Sequence, residues 1–252
     1  MALTATAKKT LRDQVICTLG MKSPTVVAVS PAKVNLIYML KRCDTIQEAF
    51  AMLLKGIQEQ RTNYPRTIIY CQRLNECGRL YQYFRTNLKE GFTEPLGAPD
   101  LPQFRLLDMY HSSVDQEIKE SILNLFSKPS HLRIVIATVA FGMGIDCRDV
   151  RQVVHVGPPE DIECYIQETG RAGRDGLPSV AVLLLIKGMK MVNTDVHMRS
   201  YISNETICRR KSLFDDFEGY IHDIESLCTC CDICRTSCQC SYCDLKVQSF
   251  CV

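Results

Sequence analysis

The chain has 252 residues, 46% of them hydrophobic and 23% charged, enough for one large or two modest domains with a core. Thirty Lys and Arg against 28 Asp and Glu leave a formal net charge of +2, which excludes a protein-wide basic field, so any grip on nucleic acid is local. No apolar run of about 18 residues is present, so no membrane-spanning helix is expected; the first nine residues (MALTATAKK) lack the basic-then-apolar shape of a secretory signal, and 15 cysteines in such a chain point to thiols and metal rather than a disulfide-rich secreted fold.

Residues 1–187 alternate between short β-rich runs and longer amphipathic stretches. Strands are predicted at 25–30 (TVVAVS), 36–40 (LIYML), 67–71 (TIIYC), 104–110, 132–138 (LRIVIAT), 152–156 (QVVHV) and 180–186 (VAVLLLI). Helices are predicted at 46–60, 73–89, 114–127 and 161–171, and residues 91–102 read as a Gly/Pro-rich surface loop. Continuous Val/Ile/Leu runs suit strands buried on both faces of a parallel sheet. The alternation implies a doubly wound α/β fold, whose ligands bind at the carboxyl ends of the strands.

The cysteines divide the chain. Cys17, Cys43, Cys71, Cys77, Cys147 and Cys164 are scattered and read as ordinary core or surface thiols. Cys208, Cys228, Cys230, Cys231, Cys234, Cys238, Cys240, Cys243 and Cys251 crowd the tail, so a domain edge is placed near residue 188. Four closely spaced thiolates suit structural zinc. Two quartets have workable spacing: Cys208 with Cys228, Cys231 and Cys234, or Cys231, Cys234, Cys240 and Cys243.

Two further segments carry chemistry. Residues 139–146 (VAFGMGID) follow the 132–138 strand, and the paired glycines allow close approach to a phosphate or sugar. A plain tight turn fits them as well. Residues 167–176 (QETGRAGRDG) place Arg171 and Arg174 three apart, beside Gln167, on one helix face. Two guanidiniums there suit a polyphosphate, although solvated surface arginines have the same spacing.

These stretches, with MALTATA (1–7), IIYC (68–71), ATVAFGMGID (137–146), VVH (153–155), Cys208-Arg209-Arg210 and CDIC (231–234), stand in an order that resembles the RecQ family of superfamily 2 DNA helicases. The resemblance reaches to about residue 234. It implies a RecA-like, mainly parallel α/β lobe with a small helical zinc-binding subdomain. Residues 1–24 would be a remnant of a first lobe, 25–187 the second lobe, 188–236 the zinc-binding subdomain and 237–252 a Cys-rich tail. By the same resemblance, Arg174 is the arginine finger, Arg171 its neighbour on the phosphates, and Gln167 a nucleotide contact. Gly144 and Asp146 meet the ribose side of the cleft. Thr138, Ser112 and Arg73 are the DNA contacts. Bland roles also fit Thr138, as a strand end, and His111, as a structural histidine. The family's zinc arrangement favours the first quartet, Cys208/Cys228/Cys231/Cys234, and leaves His222 outside it.

The implied activity is ATP-dependent 3′-to-5′ unwinding of DNA at a junction between single strand and duplex, in the nucleus, in repair, recombination or replication. ATP with Mg2+ requires the first lobe, expected to be missing, since no G-x-x-x-x-G-K-[ST] loop and no D-E-x-H box occur in the 252 residues. No ATPase activity is expected of the chain alone. A non-catalytic module that binds DNA or protein is the alternative. The sequence departs from the family pattern at Cys147, where lysine is common, at Glu160-Asp161, and at Leu74 after Arg73.

Overall fold

Every residue of RTIIYC (66–71) is buried, as a central strand covered on both faces requires. In the computed structural model, which describes residues 8–138, 141, 147–191, 193–220 and 226–240, this segment is strand β2 (Arg66–Cys71) of one six-stranded sheet. Its companions are β1 (Leu36–Cys43), β3 (Leu107–Tyr110), β4 (Ile134–Ala137), β5 (Val150–Val156) and β6 (Ser179–Ile186). The order is β1-β6-β5-β2-β4-β3 and every pairing is parallel, as the sequence predicts.

Alternate residues of each strand serve opposite faces. Ile69, Cys71, Ile134, Ile136, Val154 and Val182 pack against Phe50 and Leu53 of α2 (Ile46–Gln60) and Leu80 and Phe84 of α3 (Leu74–Leu88). Ile68, Tyr70, Val135, Ala137, Val153 and Leu183 pack against Ile122 and Phe126 of α4 (Gln116–Ser127) and Tyr165 and Ile166 of α5 (Ile162–Thr169). Helix starts follow local chemistry: Thr45 accepts from Glu48 N at α2, and Asp161 accepts from Cys164 N at α5. Asp161, one of the departures from the family pattern, is therefore a helix cap.

The predicted strand at 25–30 is absent. Val27 and Val29 are 89% and 87% exposed and the segment joins no ladder, because β propensity without a neighbouring strand buries nothing. Helix α1 (Lys9–Thr18) buries none of its residues and so leaves no apolar stripe to predict. The scattered cysteines are thiols: Cys43, Cys71, Cys77 and Cys147 are buried, Cys164 is half-buried and Cys17 exposed. Cys147 bonds the Phe126 carbonyl at 3.0 Å, and burial pushes its pKa up to about 11.

Three short helices follow the sheet at 196–203, 209–214 and 232–236. Their Met198, Tyr201, Phe214 and Cys234, with the neighbouring Cys231, share one hydrophobic cluster with Leu36 and Tyr38 of β1. Tyr38 N donates to Cys230 O at 3.3 Å, and Arg210 Nη2 donates to the carbonyls of Val34 and Leu36 at 3.1 and 2.9 Å. The cysteine-bearing segment thus covers an edge of the sheet that would otherwise expose unpaired backbone groups.

Candidate functional site

The arginine pair does not lie on a helix. Helix α5 ends at Thr169, and residues 170–176 form successive turns. Gly173, at φ +63°, stops any continuation. Glu168, on α5, accepts from or donates to His155 across 2.7 Å, near the carboxyl end of β5. Gly173 N bonds the carbonyl of Val150, the first residue of β5, and Asp175 pairs with Arg151 at 2.9 Å. The backbone of residues 168–175 therefore runs back along β5 over four to five strand residues, about 13–17 Å, while the Arg171 side chain lies beside Tyr70 near the carboxyl end of β2.

Two side chains preceding β1 clamp this turn. Lys33 Nζ donates to the carbonyls of Gly170 and Ala172 at 2.6 and 2.9 Å. Asn35 Nδ2 donates to Gly173 O and Leu177 O at 2.9 and 2.8 Å. Burial, and then the nearby Arg174 cation, hold Lys33 below its ordinary value. Gln167 and Arg174 are exposed, while Arg171 is half-buried, with its Nε enclosed and without a hydrogen-bond partner. Arg171 lies beside the Tyr70 hydroxyl, and two guanidiniums three residues apart suit a polyphosphate chain. Gly144 and Asp146 lie outside the described residues.

The other candidates gather at the carboxyl ends of the strands, where Tyr70 also borders Arg171. Tyr70, Ala137 and Tyr110 occupy one rung across β2, β4 and β3. Arg73, Thr138 and Ser112 follow them by three, one and two residues, so all three flank the carboxyl ends of adjacent strands. Arg73 and Ser112 are exposed and Thr138 is half-buried. His111 beside them is buried; that burial and Lys119 hold its pKa below the ordinary value. Lys119 Nζ donates to Ser112 O at 2.9 Å. Gln72, Arg73, Glu76, Lys187 and Lys190 line a surface cavity of about 320 Å3 beyond β2 and β6.

The thiols of Cys208, Cys230, Cys231 and Cys234 come within 4.8 Å of one another. Cys230, not Cys228, completes the set with the other three expected cysteines; Cys228 sits with Cys238 and Cys240. The pairing of Tyr38 with Cys231 and the bond from Tyr38 N to Cys230 O hold Cys230 against the sheet edge. Cys208 Sγ is 3.5 Å from Cys230 Sγ and 4.0 Å from Cys231 Sγ, bracketing the edge of about 3.8 Å for tetrahedral ZnS4 with 2.3 Å bonds. Cys231 Sγ also accepts from Arg209 N and Cys234 N, both at 3.4 Å, as a ligating sulfur accepts from the backbone amides around it. Hydrogen bonds from Cys230 and Cys231 hold Cys208 well below its ordinary pKa, while hydrogen bonds with Cys208 and then Cys231 push Cys230 up. A divalent ion bound by the four sulfurs would displace their protons.

Residues 48–176 match the model of the helicase conserved C-terminal domain, half of the chain. The chain belongs to that family. It is 31% identical over 259 aligned residues to the RecQ-like DNA helicase blm-1 of Caenorhabditis elegans, covering 93% of this chain and 24% of that protein. It is 34% identical over 183 residues to the ATP-dependent DNA helicase RecQ of Pasteurella multocida, covering 73% and 26%. The chain thus spans about a quarter of each relative's length. Among solved structures, S. cerevisiae Dbp5 bound to RNA and ADP BeF3 superposes with a TM-score of 0.57 at 16% identity, over 85% of this chain and 49% of that one. Mycobacterium smegmatis helicase Lhr, bound to ssDNA and AMP-PNP, gives 0.54 at 22% identity, over 72% and 23%. Both establish the fold, a RecA-like helicase C-terminal lobe. No helix among the described residues is long and apolar enough to cross a membrane.

Sequence reasoning missed several parts of this helicase lobe. Lys33 and Asn35 carry no motif; only the fold brings them to Gly170–Leu177. The buried His155–Glu168 pair was visible only as two separate motif residues. Lys187 and Lys190 follow β6 as Arg73 follows β2, and inspection after every strand would have found them. Gly173→Ala is expected to destabilise the lobe by about 2–3 kcal/mol, from left-handed backbone cost and broken hydrogen bonds. A Cβ there would lie 2.4 Å from Asn35 Nδ2 and displace the clamp. The urea midpoint measures this; an unchanged midpoint would show that the clamp contributes nothing to the turn.

Proposed function

We propose that this chain is the second RecA-like lobe and zinc-binding segment of a RecQ-type 3′-to-5′ DNA helicase, acting in the nucleus with a first lobe facing it. Residues 25–187 make the lobe and 188–236 the zinc-binding subdomain, with Cys208, Cys230, Cys231 and Cys234 holding structural zinc. The observation that carries the reading is the clamped turn 170–176, which sets a half-buried Arg171 beside Tyr70 and an exposed Arg174 three residues on.

Bound with Mg2+ between the lobes, ATP supplies the phosphoryl transfer that drives closure and opening. Arg171 holds the phosphate chain, and Arg174 presents its guanidinium to the negative charge that develops there. Gln167, four residues before Arg171, meets the nucleotide. Lys33 and Asn35 fix the turn's backbone, so the guanidiniums need little reorganisation. At the carboxyl ends of the strands, Arg73, Ser112 and Thr138 grip DNA phosphates, helped by Lys187 and Lys190. Both sets of residues belong to one lobe, so closure that moves the arginines carries the DNA-gripping residues with it.

The test joins the chain to the first lobe of a RecQ relative. DNA-stimulated ATPase activity is expected of the fusion and not of the 252-residue chain, which holds no phosphate loop. A fusion that binds DNA but never turns over ATP would favour a non-catalytic binding module. Arg73→Ala with Lys190→Ala should weaken binding of single-stranded DNA and lower the slope of log affinity against log salt by about 0.7 for each phosphate that is no longer neutralised. Salt titration by fluorescence anisotropy measures it; an unaltered slope would place the DNA elsewhere.

A further inference from the structure

Three of the tail's remaining cysteines form a second cluster. Cys228, Cys238 and Cys240 bring their Sγ atoms within 4.8 Å of one another and share no residue with the first set. Cys240 Sγ lies 3.6 Å from Cys228 Sγ, close to the sulfur–sulfur edge of about 3.8 Å in a tetrahedral zinc–thiolate site. None of the three is in a disulfide; Cys228 is buried, Cys238 half-buried and Cys240 exposed. The cluster therefore has a closed floor and one side open to solvent. Cys228 Sγ also lies 3.1 Å from Ser226 Oγ, a hydroxyl able to donate to a thiolate there. The two clusters interleave along the chain: Cys228 serves one, and Cys230 and Cys231 the other.

We propose that Cys228, Cys238 and Cys240 hold a second zinc ion, with water in the fourth position. Three soft donors without carboxylate or imidazole select a thiophilic ion over magnesium or calcium. On binding, three S–H bonds break, three S–Zn bonds form, and three protons pass to solvent, with no change of oxidation state. The proposal rests on the first cluster's zinc only for the total count.

The test is zinc stoichiometry of the full chain, purified under reducing conditions with zinc, by native mass spectrometry and elemental analysis. Two zinc ions per chain are expected. Cys238→Ser with Cys240→Ser should retain one, with an unchanged circular dichroism spectrum, since neither residue belongs to the hydrophobic core. Cys228→Ser should likewise keep one zinc and stay folded. Wild-type protein with a single zinc that the double variant keeps would overturn the proposal. So would equal zinc content in wild type and double variant, a Cys228–Cys240 disulfide in place of metal, or disappearance of the first zinc in Cys228→Ser. A single zinc that disappears in the double variant would sustain the second site and fail the first.

Discussion

Arg174→Ala, in a protein where this lobe faces a RecQ first lobe, is expected to cut DNA-stimulated ATP turnover by about 10³-fold or more, the scale of an arginine finger. The side chain is exposed, on a turn whose backbone is held from the other side by Lys33 and Asn35. Its removal leaves the fold and nucleotide affinity nearly intact, so the loss falls on kcat. Arg174→Lys should recover little, because a compact ammonium cannot reproduce the planar fork. Arg171→Ala should act differently. Arg171 is half-buried and lies beside Tyr70, whose phenol donates to Phe141 O at 3.2 Å, so its removal should raise KM for ATP as well. A kcat for Arg174→Ala within tenfold of wild type would remove the finger role.

Cys208→Ser or Cys234→Ser is the second large effect. Structural zinc contributes on the order of 10 kcal/mol of folding free energy, and here proposed ligands are packed into the sheet's own core. Cys231 and Cys234 share a cluster with Tyr38, Tyr165 and Phe214, and Asp232 accepts from Leu40 N at 3.1 Å and from Arg209 Nε at 2.9 Å. Without the ion, residues 208–236 should therefore unfold and uncover the edge of β1. Chelation of the wild-type protein should do the same. Limited proteolysis with circular dichroism reports it: new cleavage between 204 and 240 with most of the α/β signal retained is the expected result. A variant as protected as wild type would show that packing alone holds this segment.

Much of this was legible in the sequence for physical reasons. Runs such as IIYC and AVLLLI are apolar at consecutive positions because both faces of a central parallel strand are covered, and β2 and β6 appear where those runs stand. TVVAVS reads the same way yet stays exposed, since composition does not reveal whether a neighbouring strand exists. Arg171 and Arg174 were legible as a pair, but not their support: the spacing suits a helix, whereas Gly173 and backbone anchors 137 to 142 residues away in sequence make a turn. The cysteine count called for metal, but neither quartet offered by the spacing contains Cys230, which the structure sets beside Cys208, Cys231 and Cys234. That placement depends on pairing of 230–231 with the edge strand, which joins residues far apart in sequence.

The most direct test compares Arg174→Ala with the double variant Arg73→Ala, Lys190→Ala in the two-lobe protein, measuring ATP turnover across a titration of single-stranded DNA. Arg174→Ala is expected to lower kcat and leave the half-saturating DNA concentration unchanged. The double variant should raise that concentration and reach wild-type kcat at saturation. If each set of substitutions moves both quantities together, hydrolysis and DNA grip are not carried by separate residues of this lobe.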